Sequence, residues 1–180
     1  MRLQPDDVVE FWRAAGAQRW FARDENFDAE CAARFLDAHY LAARGECEHW
    51  LDHAQGALAL LILLDQIPRN VFRGSAHAWA ADGLARAYAR RALEVGFDTQ
   101  VEPELRVFFY LPFEHSEDLA DQERALFLHR ALPGENADRW ARLHHDIIRR
   151  FGRFPHRNAA LGRITTPEEQ AFLDGGGFQG

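Results

Sequence analysis

Three stretches of the chain gather ionisable side chains around a proline. In residues 63–73, Asp65, Arg69, Asn70 and Arg73 flank Pro68; in 109–118, His115, Ser116, Glu117 and Asp118 follow Pro112, with Gln122 a turn later; in 150–158, Arg153, His156, Arg157 and Asn158 surround Pro155. Arginine forks at such a place can clamp a phosphate or carboxylate through two parallel hydrogen bonds. Imidazole is the side chain whose ordinary pKa lies near neutrality, so His115 or His156 can act as a general acid or base, with Glu117 to orient it. Ser116 reads as a helix N-cap rather than a nucleophile, because neighbouring residues do not share a helix face. The same pattern also suits an ion-pair network that satisfies the orphan carbonyls of broken helix ends, so a structural network and a functional pocket both stay open.

Composition narrows the chemistry. All 21 basic residues are arginine, which excludes lysine Schiff bases and the lysine-bearing phosphate loop. Ser75 and Ser116 are the only serines, and neither sits in a GxSxG turn. A net charge of −7 and a pI near 5.7 argue against nucleic acid as a partner. Cys31 and Cys47 cannot make a disulfide framework and read as buried free thiols of a reducing, cytoplasmic setting. The first residues carry no apolar signal region, and the longest apolar run, 57–64, falls far short of a bilayer span, so no membrane partner is expected. Acidic and imidazole groups at His115, Glu117, Asp121, His144, His145, Asp146 and His156 have ligand chemistry but lack HExxH or CxxC spacing. Neither metal nor cofactor is expected.

The elements that must position these residues are helices. Apolar residues recur with helical spacing almost throughout, and valine, isoleucine and threonine are scarce beside alanine, leucine and arginine. Segment 6–15 opens at Asp6 or Asp7; Asp28 is placed to cap the next helix; the run from about 55 is apolar all round and is expected to stop near Gln66 before Pro68. Ser75 is expected to cap a helix ending at Gly96, Pro112 to stop or kink one begun near Pro103, Ser116 to start another, and Asn136 to cap 137–151. Thr166-Pro167-Glu168-Glu169 is a capping box predicting a short helix over 167–174, and the glycine-rich 175–180 reads as a mobile tail. The expectation is an all-α single domain over 1–174, an antiparallel array or superhelix of about eight helices. Short connections would then open all three proline junctions on one edge.

The strings DQIPRNVFRG (65–74), LPFEHSEDLADQE (111–123) and HDIIRRFGRFPHRNAALGR (145–163) resemble the signature segments of the bacterial family called domain of unknown function 924. The resemblance extends from WLDHAQGALALLILLDQIPRN to TTPEEQAFL. It implies an all-helical, tetratricopeptide-like fold, and it marks Asp65, Arg69, Asn70, Arg73, His115, Ser116, Glu117, Asp118, Gln122, Arg153, His156, Arg157 and Asn158 as motif positions. It implies no reaction. The functional expectation is therefore a binding module, its arginine-rich edge holding an anionic small molecule or acidic peptide. The alternatives are a small hydrolase or transferase acting on a phosphorylated or carboxylated substrate, and an interaction scaffold whose edge is purely structural.

Overall fold

The computed structural model describes residues 3–180, and no strand occurs among them. The fold is all-helical, as the composition and periodicity require. The described chain is built as two compact units: one comprises 3–73 and 77–112, the other 74–76 and 113–180.

In the first unit, α1 (Pro5–Ala15) starts at Gln4 with a capping box closed by Asp7, and Gly16 ends it at φ 72°. After α2 (Ala17–Trp20) comes α3 (Glu25–Ala43), capped by Asp24, whose carboxylate accepts the N–H groups of Asn26 and Phe27 at 3.0 and 3.2 Å. The cap lies four residues before the expected Asp28, which leaves the Asp28 carboxylate available for another partner. Helix α4 (Ala54–Leu61) is almost wholly buried and packs on α1 and on α6 (Asp82–Glu94). Gly56 allows this: a Cβ there would stand 2.1 Å from the Trp50 carbonyl oxygen.

Pro68 does not end the helical path. Residues Ile62–Gln66 widen into a π turn, with the Ile67 N–H bonding to the Ile62 carbonyl, and α5 (Ile67–Val71) carries the proline in its first turn. Proline lacks an N–H and its ring crowds the carbonyl four residues back, and a widened turn relieves both conflicts. The helix expected from Ser75 likewise divides into a 3-10 turn, Ala76–Trp79, and α6.

Helix α7 (Val107–Glu114) holds Pro112 inside it and ends two residues later. In the second unit, α8 (Leu119–His129) is capped by Asp118, which accepts from the N–H groups of Ala120 and Asp121 at 2.8 and 3.2 Å; Ser116, the expected start, lies just outside. Helix α9 (Arg139–Phe151) begins after Asp138, not Asn136, which adopts φ 59° in the preceding turn. It packs on α8 and turns Ala141, His144, Ile147 and Ile148 inward. Helix α10 (Pro167–Asp174) has the predicted capping box between Thr166 and Glu169. Beyond it, Gly175, Gly176 and Gly177 hydrogen-bond back to the last turn of α10. This return lays Phe178 against the Ile147, Ile148 and Phe154 cluster. No helix among the described residues is long and apolar enough to cross a membrane.

Candidate functional site

The first proline junction lies in the first unit, where carboxylates meet its cations. Both terminal nitrogens of Arg69 bond the Asp82 carboxylate, at 2.9 and 3.0 Å, and Nη1 also lies 3.1 Å from Asp65 Oδ1. Gln66 donates to the other Asp65 oxygen at 2.6 Å. Asp28 receives Asn70 Nδ2 at 2.7 Å and Arg73 at 2.6 and 2.9 Å, tying α5 to α3. Arg69 lies within α5 and Arg73 in the turn after it, and the two pair with carboxylates on different helices, Asp82 on α6 and Asp28 on α3.

The second and third junctions interlock in the second unit. Arg163 grips Glu117 through two bonds of 2.7 and 3.0 Å, and Glu117 Oε1 also accepts the Phe154 N–H at 2.8 Å. Burial alone would raise the Glu117 pKa, but these donors outweigh it and hold the carboxyl below its usual range. Arg153 forks onto Glu169 at 2.6 and 2.8 Å, and Asn158 Nδ2 donates to the same carboxylate at 3.2 Å. The Arg153 bonds pull the Glu169 carboxyl down to about 2. Arg157 donates to the His115 carbonyl at 3.1 Å and lies 4.5 Å over the Phe154 ring. Gln122, fully buried, donates to the carbonyls of Glu114 and Ser116 at 2.6 and 2.7 Å, while the Ser116 hydroxyl donates to Asp121 at 2.8 Å. Ser116 is thereby a turn-fixing residue.

At the centre of this network stands a carboxylate between two imidazoles. Glu114, at the end of α7 and 3% exposed, has one oxygen 2.8 Å from His144 Nδ1 and the other 3.0 Å from His129 Nε2. Burial opposes the charge, yet the hydrogen bonds from His129 and His144 prevail and keep Glu114 ionised well below the usual carboxylate range. His129 also reaches the Ala125 carbonyl from Nδ1, 2.8 Å away. Burial disfavours its charge, but the bond and the charge of Glu114 overcome this and raise its pKa. The Ala125 carbonyl can only accept, so Nδ1 carries a proton, and the carboxylate 3.0 Å from Nε2 favours a second one there, which would make Glu114 and His129 a buried ion pair.

His144 is bound differently. Its Nδ1 lies 2.8 Å from Glu114 Oε1, its side chain is 7% exposed, and neither of its buried ring nitrogens meets a well-aligned hydrogen-bond partner, Nε2 having no polar neighbour of the kind that Nδ1 has in Glu114. In the neutral ring, a proton on the Nδ1 that faces the carboxylate leaves the Nε2 lone pair open. The ring is walled by Phe154 at 5.3 Å and Phe178 at 4.6 Å between centroids, with His115 at 6.3 Å. His156 also packs on Phe178, at 5.1 Å, and on Phe154, at 5.6 Å. Burial lowers the His156 pKa to about 3, with the charges of Arg157 and His144 acting the same way, so it is neutral near pH 7.

The carboxylate that faces imidazoles here is Glu114, while Glu117, expected beside a histidine, accepts from Arg163 and the Phe154 N–H. Sequence spacing left a trace of the set: His144 shares the apolar stripe of α9 with Ala141, Ile147 and Ile148, a polar group on a face that otherwise goes inward. Nothing local to Glu114 or His129 names them as its companions. Among the described residues no three His, Cys, Asp and Glu side chains are gathered so as to hold a metal ion.

Fold and site together describe an all-helical protein with a buried carboxylate–imidazole centre braced by arginine–carboxylate pairs. The chain belongs to the bacterial proteins of unknown function DUF924, whose family model matches residues 8–177. A solved structure, that of the protein of unknown function ATU0120 from Agrobacterium tumefaciens, is 51% identical, covers 95% of this chain and 97% of its own, and superposes with a TM-score of 0.92. No curated protein matches the chain.

Proposed function

We propose that the second unit binds a small molecule beside His144 and exchanges a proton with it at Nε2, as the general acid–base of a hydrolase or transferase. The single observation that carries this reading is a buried Nε2 without a hydrogen-bond partner, on an imidazole whose other nitrogen lies 2.8 Å from the Glu114 carboxylate. Such a carboxylate–histidine pair fixes tautomer and ring direction and stabilises the imidazolium formed when a proton is taken. The arginines of the expected anion clamp serve the frame in this reading. Arg69, Arg73 and Arg153 each hold a carboxylate, so binding an anion there would mean breaking a made ion pair. The tetratricopeptide-like arrangement and cytoplasmic setting implied by family and composition are compatible with a small-molecule enzyme of this kind.

Two measurements test it. Long-range nitrogen–proton NMR at pH 7 should find His144 with its proton on Nδ1, and Glu114→Gln should change that signal. A panel of aryl esters, thioesters and phosphate monoesters should include a substrate whose turnover falls by about 10²–10⁴ in His144→Gln, the usual size of a lost general base. His144 protonated on Nε2 alone, or turnover indifferent to His144→Gln, would overturn the proposal.

A further inference from the structure

The residue that covers His144 shows what its ligand looks like. Phe178 sets its ring against two imidazoles, T-shaped to His144 at 4.6 Å and to His156 at 5.1 Å, with the Trp140 indole 6.5 Å away. The ring planes lie 63° and 83° from those of the histidines, the edge-to-face arrangement that favours aromatic rings over saturated ones of equal size. Phe178 belongs to no helix. It is delivered by the glycine run, whose last member fits only because it lacks a side chain: a Cβ on Gly177 would meet the Phe172 carbonyl oxygen and ring carbons at 2.6 Å. An aromatic side chain held on so short a tether can leave its slot without unfolding a helix, and the slot it leaves is lined by the rings of His144 and His156.

We infer that the Phe178 slot is the recognition site for a planar aromatic ring, so that the ligand of the second unit is a small aromatic compound and Phe178 is the internal ring it displaces. This rests on the acid–base reading of His144, whose substrate class it names. The slot itself stands on ring geometry alone.

Phenol, cyclohexanol and toluene separate the two. Each is titrated into the full chain and into Phe178→Ala, following the Trp140, His144 and His156 side-chain resonances by NMR. The slot predicts saturable phenol binding to the wild-type chain, at least tenfold tighter binding in Phe178→Ala, and cyclohexanol at least tenfold weaker than phenol in both. Gly177→Ala, which levers the segment away while keeping the phenylalanine, should behave like Phe178→Ala and guards against a variant that simply fails to fold. Absence of saturable phenol binding in the variants, or cyclohexanol binding as well as phenol, overturns the slot. Toluene has the ring without the hydroxyl: ring binding with no preference for phenol leaves the slot standing and counts against the acid–base reading instead.

Discussion

Replacing Glu114 is the most searching perturbation of the second unit, because two imidazoles depend on one buried carboxylate. Its two contacts, at 2.8 and 3.0 Å, are charge-assisted, each worth about 1.5–3 kcal/mol against about 1 kcal/mol for a neutral bond. In Glu114→Gln the amide oxygen still accepts from His144, and the amide N–H₂ can donate to a His129 that has become neutral. The exchange therefore costs about 2 kcal/mol, or roughly 4–8 °C in melting temperature for a chain of this length. Glu114→Leu offers neither contact and strands both imidazoles in the interior, which costs about 4 kcal/mol, roughly 8–16 °C. The pH dependence has a defined sign. The Glu114 contribution comes from a lowered pKa, so it is complete above the ordinary carboxylate value of 4.5 and is lost as pH falls below it. The His129 contribution comes from a raised pKa, so it is complete below 6.5 and is lost as pH rises through the folded value. Scanning calorimetry from pH 3.5 to 9 should show the gap between wild type and Glu114→Gln widest at about pH 4.5–6.5 and narrowing on either side. A gap that ignores pH, or a glutamine as damaging as leucine, would refute the buried ion pair.

Two further outcomes follow from buried groups. His156 is held neutral with a pKa near 3, so its contribution is present above 6.5 and is lost as pH falls towards 3; at pH 5 the wild type should have lost about 1–2 kcal/mol from this residue, and His156→Gln should flatten the melting-temperature slope between pH 6.5 and 5. Gly56→Ala drives a methyl into the Trp50 carbonyl at 2.1 Å within a packed helix, and denaturant melts should show a loss of about 1–3 kcal/mol where alanine in an open helix position would stabilise.

The proline junctions show how much local sequence conveys. The second and third junctions, about 40 residues apart in the chain, do meet: Glu117 accepts the Phe154 N–H, and Arg157 donates to the His115 carbonyl. Which partner each side chain takes was beyond reach of spacing, since Glu117, Asp118 and Asp121 offer the same chemistry within five positions. Asp118 became the cap, Asp121 the acceptor of Ser116, and Glu117 the mate of Arg163, each according to the direction its position on the turn allows.

What the sequence determined by itself is what depends on neighbours within a turn or two. That includes helical periodicity throughout, the Thr166–Glu169 box with Pro167 in the first turn of α10, the glycine that ends α9, and buried thiols at Cys31 and Cys47. Tertiary structure decided what depends on residues far apart in the chain. A proline that reads as a stop becomes a π turn because the flanking helices are buried and the path must continue. Glu114 and His144, thirty positions apart, pair because the interior admits a carboxylate only beside donors that compensate its lost hydration.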